Sequence, residues 1–416
     1  MELYSQRRSM IYHELYDYLK NRIRFQSDSR MPEIGLEVYN FEFESQSSGI
    51  LPGEAEYYCP IHDFRVPEQH YSNHYNCSGS SILDVQDSHI PDNVRFHYHI
   101  FKPAQSGKSR NVILFFHGFN EKNWDKYYPW AYHLMKTTGK TIILFPLAFH
   151  MNRAPREWSD RRLMNEVSKD RTRNFPDIIG SSLVNAAIST RLHIKPQRFI
   201  WSGIQSYYDV IRLVDTIRNN THPLIDSEAE FDFFAYSIGG LLAQTLMMTN
   251  QNYYFDRSRM VLFCSGAVFN RLSPVCRFIM DSETEQALYN YIVRYLETHI
   301  RKDAWLGHFL SQTHIEGWNF LSLLNYNQLT QYREEVFNRF SDRVYAVALE
   351  KDSVIPTYEV VNTLQGRTRK IPIRVDCDDF PYDYKHEDPF PLKSSIQSEV
   401  DRCYRETFDK LGHFLT

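Results

Sequence analysis

Apolar positions fall along the chain in two rhythms. Near the N-terminus, Leu3, Met10, Ile11, Leu15, Leu19 and Ile23 recur at helical spacing among charged residues. That pattern predicts an amphipathic helix over residues 1 to about 25. From residue 95 the rhythm changes to short, nearly continuous apolar runs: Arg95–Phe101, Val112–Phe116, Thr141–Phe145, Arg198–Trp201, Phe231–Tyr236, Met260–Cys264, Val344–Ala348 and Ile371–Val375. Parallel strands covered on both faces read in this way. Helical patterns lie between the runs. Strand alternating with helix predicts an α/β fold, with a mostly parallel central sheet flanked by helices and right-handed crossovers.

Residues 26–92 have no such period and are rich in Ser, Asn, Pro, His and Tyr. They read as an irregular extension packing on the core. Two gaps between runs, 149–197 and 265–342, are longer than a plain crossover needs. The second holds helical patterns near Glu283–Ile300 and Leu329–Phe340, as a lid over the carboxyl ends of the strands would. The expected organisation is therefore an N-terminal helix and extension (1–92), a first part of the core (93–264), a helical lid insertion (265–342) and a second part of the core (343–416). No internal repeat or low-complexity tract interrupts it.

Composition narrows the partners. The chain has 416 residues, 42% of them hydrophobic, enough for a large core. The formal net charge of -4 is spread over interspersed charges of both signs, which points away from nucleic acid and anionic membrane. The longest apolar runs are strand-length, so no membrane span is expected. The first ten residues lack the apolar segment of an export signal. Six cysteines in so long a chain do not make a disulfide framework, and a reduced, cytoplasmic protein is expected. Oligomeric state is not written in the sequence.

The candidate nucleophile is Ser237, in Phe-Phe-Ala-Tyr-Ser-Ile-Gly-Gly. It sits between a strand and a helix that opens at Gly239. A sharp strand-to-helix turn needs small flanking residues, and Ala235 and Gly239 supply them. The helix N-terminus turns unpaired N–H groups toward the place where negative charge would develop. Ala-x-Ser-x-Gly is less specific than Gly-x-Ser-x-Gly, and close packing alone can also explain the turn.

At this point the chain resembles the α/β-hydrolase superfamily over roughly residues 95–412, in an esterase- or lipase-like form and a poorly characterised bacterial branch. Phe-Phe-His117-Gly118-Phe119-Asn120 ends an apolar strand. The resemblance implies an oxyanion hole made by the N–H groups of Phe119 and Ile238, with His117 structural. Asp352, in a strand-Asp-x-x-x-Pro pattern ending at Pro356, matches the family's acid; an ordinary turn aspartate is the plainer reading. Asp376, Asp378 and Asp379 are less well placed. His386 lies between the last strand and the last helix, where the family keeps its base, whereas His413 follows that helix. The order Ser237, Asp352, His386 is the family's order.

What this implies is hydrolysis of an ester or thioester, less readily an amide, through an acyl-enzyme. The partner is a small-molecule acyl substrate, and the reaction needs neither a metal nor an organic cofactor. Two rivals remain: a non-catalytic relative that keeps the fold as a binding or scaffold module, and acyl transfer to an acceptor other than water on the same three residues.

Weaker signals remain. Arg153 and Arg156, with Trp158, follow the strand Thr141–Phe145 and could recognise a substrate carboxylate or phosphate, or simply pair with acids of the lid. Cys59-x-x-His62 and His70-x-x-x-His74-x-x-Cys77 offer zinc-like spacings without a standard arrangement. Their Tyr- and Asn-rich surroundings suit a polar loop, and no metal is assigned. Ser206 or Asp209 reads as the cap of a following helix. The aromatics between 285 and 340 read as lid packing, and some could line an acyl pocket.

Overall fold

The computed structural model describes residues 10–24, 26–53, 56–67, 82–104 and 107–416. Its strands are β1 (Ser29–Met31), β2 (Leu36–Glu44), β3 (Glu56–Cys59), β4 (Phe64–Pro67), β5 (Arg95–Pro103), β6 (Ser109–Phe116), β7 (Thr141–Leu144), β8 (Ile225–Tyr236), β9 (Met260–Phe263), β10 (Val344–Leu349) and β11 (Arg374–Asp378). Nine form one sheet in the order β1-β2-β5-β7-β6-β8-β9-β10-β11. β7 through β11 in that order are parallel, while β5 runs antiparallel to both β2 and β7. β3 and β4 make a separate antiparallel hairpin.

Successive strand residues point to opposite faces, and here both faces are buried. Leu114, Phe116, Phe233 and Ala235 join a core with the helices Arg198–Arg218 and Gly239–Thr249. Ile113, Phe115, Phe234 and Tyr236 join the opposite core, with the helices Tyr12–Arg22, Tyr127–Thr138 and Gln397–Leu415. Cover on both sides is the physical reason these strands lack polar alternation.

Four expectations change. Arg198–Trp201 is not a strand but the first turn of the helix Arg198–Arg218, whose Phe199, Ile200, Trp201, Ile204 and Tyr207 are buried on it. Ser206 and Asp209 are therefore mid-helix and cap nothing. The run at Ile371–Val375 pairs later, over Arg374–Asp378. The described residues of 26–92 are more regular than a wrapping extension, since β1 and β2 extend the main sheet. Within 265–342 lie the helices Ser282–Asn290, Leu296–Lys302, Ala304–Phe309, Ile315–Ser322 and Thr330–Asn338. Among the described residues, no helix is long and apolar enough to cross a membrane.

Burial also sets a pH dependence. His99, on β5, and His150, after β7, are buried, and burial lowers the pKa of each to about 4. The folded pKa lies below the unfolded value near 6.5, so the unfolded chain takes up the proton first. The stability due to these groups is present above pH 6.5 and is lost as pH falls toward 4, by about 1.4 kcal/mol per pH unit for each. Urea unfolding at pH 7, 6 and 5 should show that decline, with a shallower slope in His99→Asn. Equal stability at pH 5 and 7 would contradict it.

Candidate active site

β8 ends at Tyr236 and a helix begins at Gly239, so Ser237 must reverse the chain in one step. It does so with a φ of 55°, in the left-handed region that side-chain-bearing residues rarely adopt. The turn is tight enough to dictate its neighbours. A β-carbon on Gly239 would lie 2.8 Å from the His117 carbonyl oxygen and 2.9 Å from Phe116 Cβ. A β-carbon on Gly240 would collide with Ser265 Oγ, which donates to the Ser237 carbonyl at 2.6 Å. Ala235 is fully buried.

Ser237 Oγ lies 2.7 Å from His386 Nε2. His386 Nδ1 lies 2.7 Å from Asp352 Oδ2. A carboxylate can only accept, so the imidazole carries its proton on Nδ1 and turns the Nε2 lone pair toward the serine. Asp352 serves both readings of its sequence pattern. Its Oδ1 accepts the N–H groups of Val354 and Ile355 at 2.9 Å each, as a turn aspartate would, while Oδ2 remains for His386. All three residues are buried.

The rivals are occupied elsewhere. Asp376 pairs with Arg374, Asp378 with Lys410 and Asp379 with Lys351. His413 is exposed on the final helix. His117 accepts the Leu147 N–H on Nε2 at 3.0 Å and donates from Nδ1 to the Gly118 carbonyl at 2.7 Å. It therefore holds the loop that carries Phe119.

Tyr236 and Tyr127, which sequence reasoning passed over, complete the support. The Tyr236 ring stacks on His386 at 5.4 Å between centroids and 14° between planes, and its hydroxyl donates to the His386 carbonyl. Tyr127 OH accepts the Gly118 N–H at 2.9 Å and donates to Glu121 at 2.8 Å. Tyr236 adjoins Ser237 in the chain, but nothing in sequence shows its ring reaching a residue 150 positions away. Among the described residues, no backbone acceptor takes the N–H of Phe119 or of Ile238.

Ser237 and His386 open onto a cleft of about 540 Å³. Phe278 and Ile279 from the 265–342 segment and Val184 from the 149–197 segment also line it. Four lysines and four carboxylates line it, so the cleft has no preferred sign of charge. Phe119 also lines an apolar recess of about 40 Å³, with Leu147, Phe199, Ile238, Leu241 and Phe320. Lys122, one of the lysines lining the cleft, has no motif in the sequence that marks it.

The arginines do not join this site. Arg153 is fully buried, with Nη2 on Asp209 at 2.6 Å, Nε on Asn93 Oδ1 at 3.1 Å and Nη1 on the Pro146 carbonyl at 3.1 Å. Its guanidinium lies 4.0 Å from the centre of the Phe96 ring. The expectation that it binds substrate is corrected: its charge is spent inside the protein. Arg156 is exposed and lines neither the cleft nor the recess.

Of the zinc-like spacings, His70, His74 and Cys77 lie outside the described residues. Cys59 and His62 are described, and they meet His308 and His314, distant in sequence, rather than entering the cleft.

The family model for DUF6051, a family of unknown function, matches residues 10–416. No curated protein matches the chain. Among solved structures it is similar to carboxyl esterase 2 from the mycorrhizal fungus Tuber melanosporum, at 11% identity and a TM-score of 0.42, covering 96% of this chain and 97% of that one. It is also similar to a thermostable esterase from Pseudomonas putida, at 10% identity and a TM-score of 0.41, covering 96% and 88%. A third likeness is to esterase Est22, at 12% identity and a TM-score of 0.43, covering 92% and 84%. These likenesses carry no conclusion about chemistry, which rests on the side chains themselves.

Proposed function

Since the chain belongs to the DUF6051 family, whose function is unknown, we propose from its own site that it is a serine hydrolase on an α/β-hydrolase fold, cleaving an ester or thioester through an acyl-enzyme. The observation that carries this reading is the continuous relay from Ser237 Oγ to His386 Nε2 and from His386 Nδ1 to Asp352, at 2.7 Å in each step. A serine hydroxyl is a poor nucleophile at neutral pH until a base accepts its proton, and the relay provides that base.

In the proposed reaction, Ser237 Oγ bonds to the acyl carbonyl carbon as His386 Nε2 takes its proton. The carbonyl π electrons move to oxygen, and the N–H groups of Phe119 and Ile238 hold the resulting oxyanion. Asp352 stabilises the imidazolium without taking its proton. The C–O or C–S bond to the leaving group then breaks, and His386 returns the proton to the departing alkoxide or thiolate. Water repeats the sequence on the acyl-enzyme, giving the carboxylic acid and free Ser237.

A serine-directed fluorophosphonate separates this reading from a binding module. The folded wild type should be labelled at one site, and Ser237→Ala should lose the label. Absence of labelling on folded wild type would favour the binding module. Labelling that survives Ser237→Ala would place the nucleophile elsewhere. p-Nitrophenyl esters of graded chain length would then report the acyl preference of the cleft.

A further inference from the structure

A second group of reactive side chains lies outside the cleft. Cys59 ends β3, and His62 lies in the turn before β4. His308 is in the helix Ala304–Phe309, and His314 precedes the helix Ile315–Ser322. One donor atom from each falls within 4.8 Å of the others. Cys59 Sγ is 3.6 Å from His62 Nδ1 and 3.4 Å from His314 Nε2. His314 Nε2 is 3.2 Å from His62 Nδ1 and 3.1 Å from His308 Nε2. Zinc bonds of about 2.0–2.1 Å to nitrogen and 2.3 Å to sulfur, set tetrahedrally, put ligand atoms about 3.3 Å (N to N) and about 3.6 Å (S to N) apart. Four of the six edges lie within about 0.2 Å of those spacings, and the remaining two, from His308 to Cys59 and to His62, are no longer than 4.8 Å.

Hydrogen bonding does not account for the group. His314 Nδ1 faces the Glu316 carboxylate at 2.6 Å, which fixes the proton there and leaves Nε2 with a single in-plane lone pair. Three atoms crowd that lone pair within 3.4 Å. One proton can bridge it to only one of them, whereas a cation at the centre satisfies all four donors. The three imidazole planes stand at 82–84° to one another, so the rings do not stack, and one donor atom of each lies within 4.8 Å of the others. The surroundings hold the ligands in place. Tyr208 hydroxyl lies on both Glu316 and His314, Phe309 stacks on His314 at 4.4 Å, and Phe64 stacks on His308 at 4.2 Å. A carboxylate behind a ligating imidazole is a usual outer partner of zinc.

We propose that Cys59, His62, His308 and His314 bind one zinc ion that clamps the β3–β4 hairpin to the helical segment 265–342. One thiolate with three neutral imidazoles is a donor set suited to zinc. Four protein ligands leave no open position, so the ion is structural. Binding releases the Cys59 thiol proton to solvent. None of the four lines the catalytic cleft, and the site is independent of the hydrolase reading.

The test uses the untagged full-length chain. Elemental analysis should give one zinc per chain, and chelation followed by zinc titration should restore it with a rise in Tm. Cobalt substitution should give tetrahedral visible bands and a thiolate charge-transfer band. That band should persist in Cys77→Ser and vanish in Cys59→Ser. His62 is exposed, so His62→Ala should fold and bind zinc at least about 10-fold more weakly. His308→Ala should lose stoichiometric zinc. The proposal is overturned if folded wild type takes up no stoichiometric zinc. It is equally overturned if His62→Ala and His308→Ala bind as tightly as wild type, or if the charge-transfer band follows Cys77 rather than Cys59.

Discussion

Asp352→Asn is expected to lower kcat for p-nitrophenyl ester hydrolysis by about 10⁴-fold while leaving the fold intact. The oxygen of the introduced amide would still accept the Val354 and Ile355 N–H groups that anchor the turn. Its nitrogen becomes a donor facing His386 Nδ1. The imidazole must then move its proton to Nε2 and present N–H, not a lone pair, to Ser237. Ser237→Ala and His386→Ala should each cost about 10⁶-fold, and the double variant should cost little more, because the two act as a unit. Circular dichroism and steady-state kinetics on the four proteins decide it. Asp352→Asn within tenfold of wild type, or additive losses in the double variant, would remove the proposed relay.

Arg153→Met should destabilise the protein by about 3–5 kcal/mol, because it strands Asp209 as an unpaired buried carboxylate. Both side chains of the pair are fully buried, and burial opposes both charges: it lowers the pKa of Arg153 and raises that of Asp209. Each is held ionised by the other, with Ser45 and Asn93 filling the remaining positions. Removing both charges in Arg153→Met/Asp209→Leu should recover most of the loss. Urea unfolding of the two single variants and the double gives the coupling. If Arg153→Met kept its stability and raised KM instead, Arg153 would return as a substrate contact.

The two arginine readings show what a sequence withholds. Following a strand end, Arg153 looks available to a ligand. Only the fold sets Asp209, in mid-helix, 2.6 Å from it. The same helix explains the lost strand. Four residues at Arg198–Trp201, three of them apolar, are compatible with either element, and their burial on a long amphipathic helix is a tertiary fact. β2 went unread for a different reason. Leu36 and Val38 are buried, but Asn40, Glu42 and Glu44 follow on the same face and Glu37 lies on the other, so neither face of this strand is apolar throughout. The metal-binding candidates divide in the same way. Cys59-x-x-His62 is visible as a local spacing, while His308 and His314 are distant in sequence and only the fold brings them to it.

By itself the sequence determined the mostly parallel α/β core, because strands covered on both faces must be apolar throughout. It also determined the serine on its strand-to-helix turn, because that turn tolerates only small neighbours. Both are local consequences of covalent geometry and hydrophobic patterning. Tertiary structure alone decided that Ser237, His386 and Asp352 stand 2.7 Å apart in succession, that Arg153 is spent on Asp209, and that Cys59 and His62 meet His308 and His314. Those contacts depend on how separate elements pack, and no local pattern encodes the distance between atoms of elements far apart in the chain.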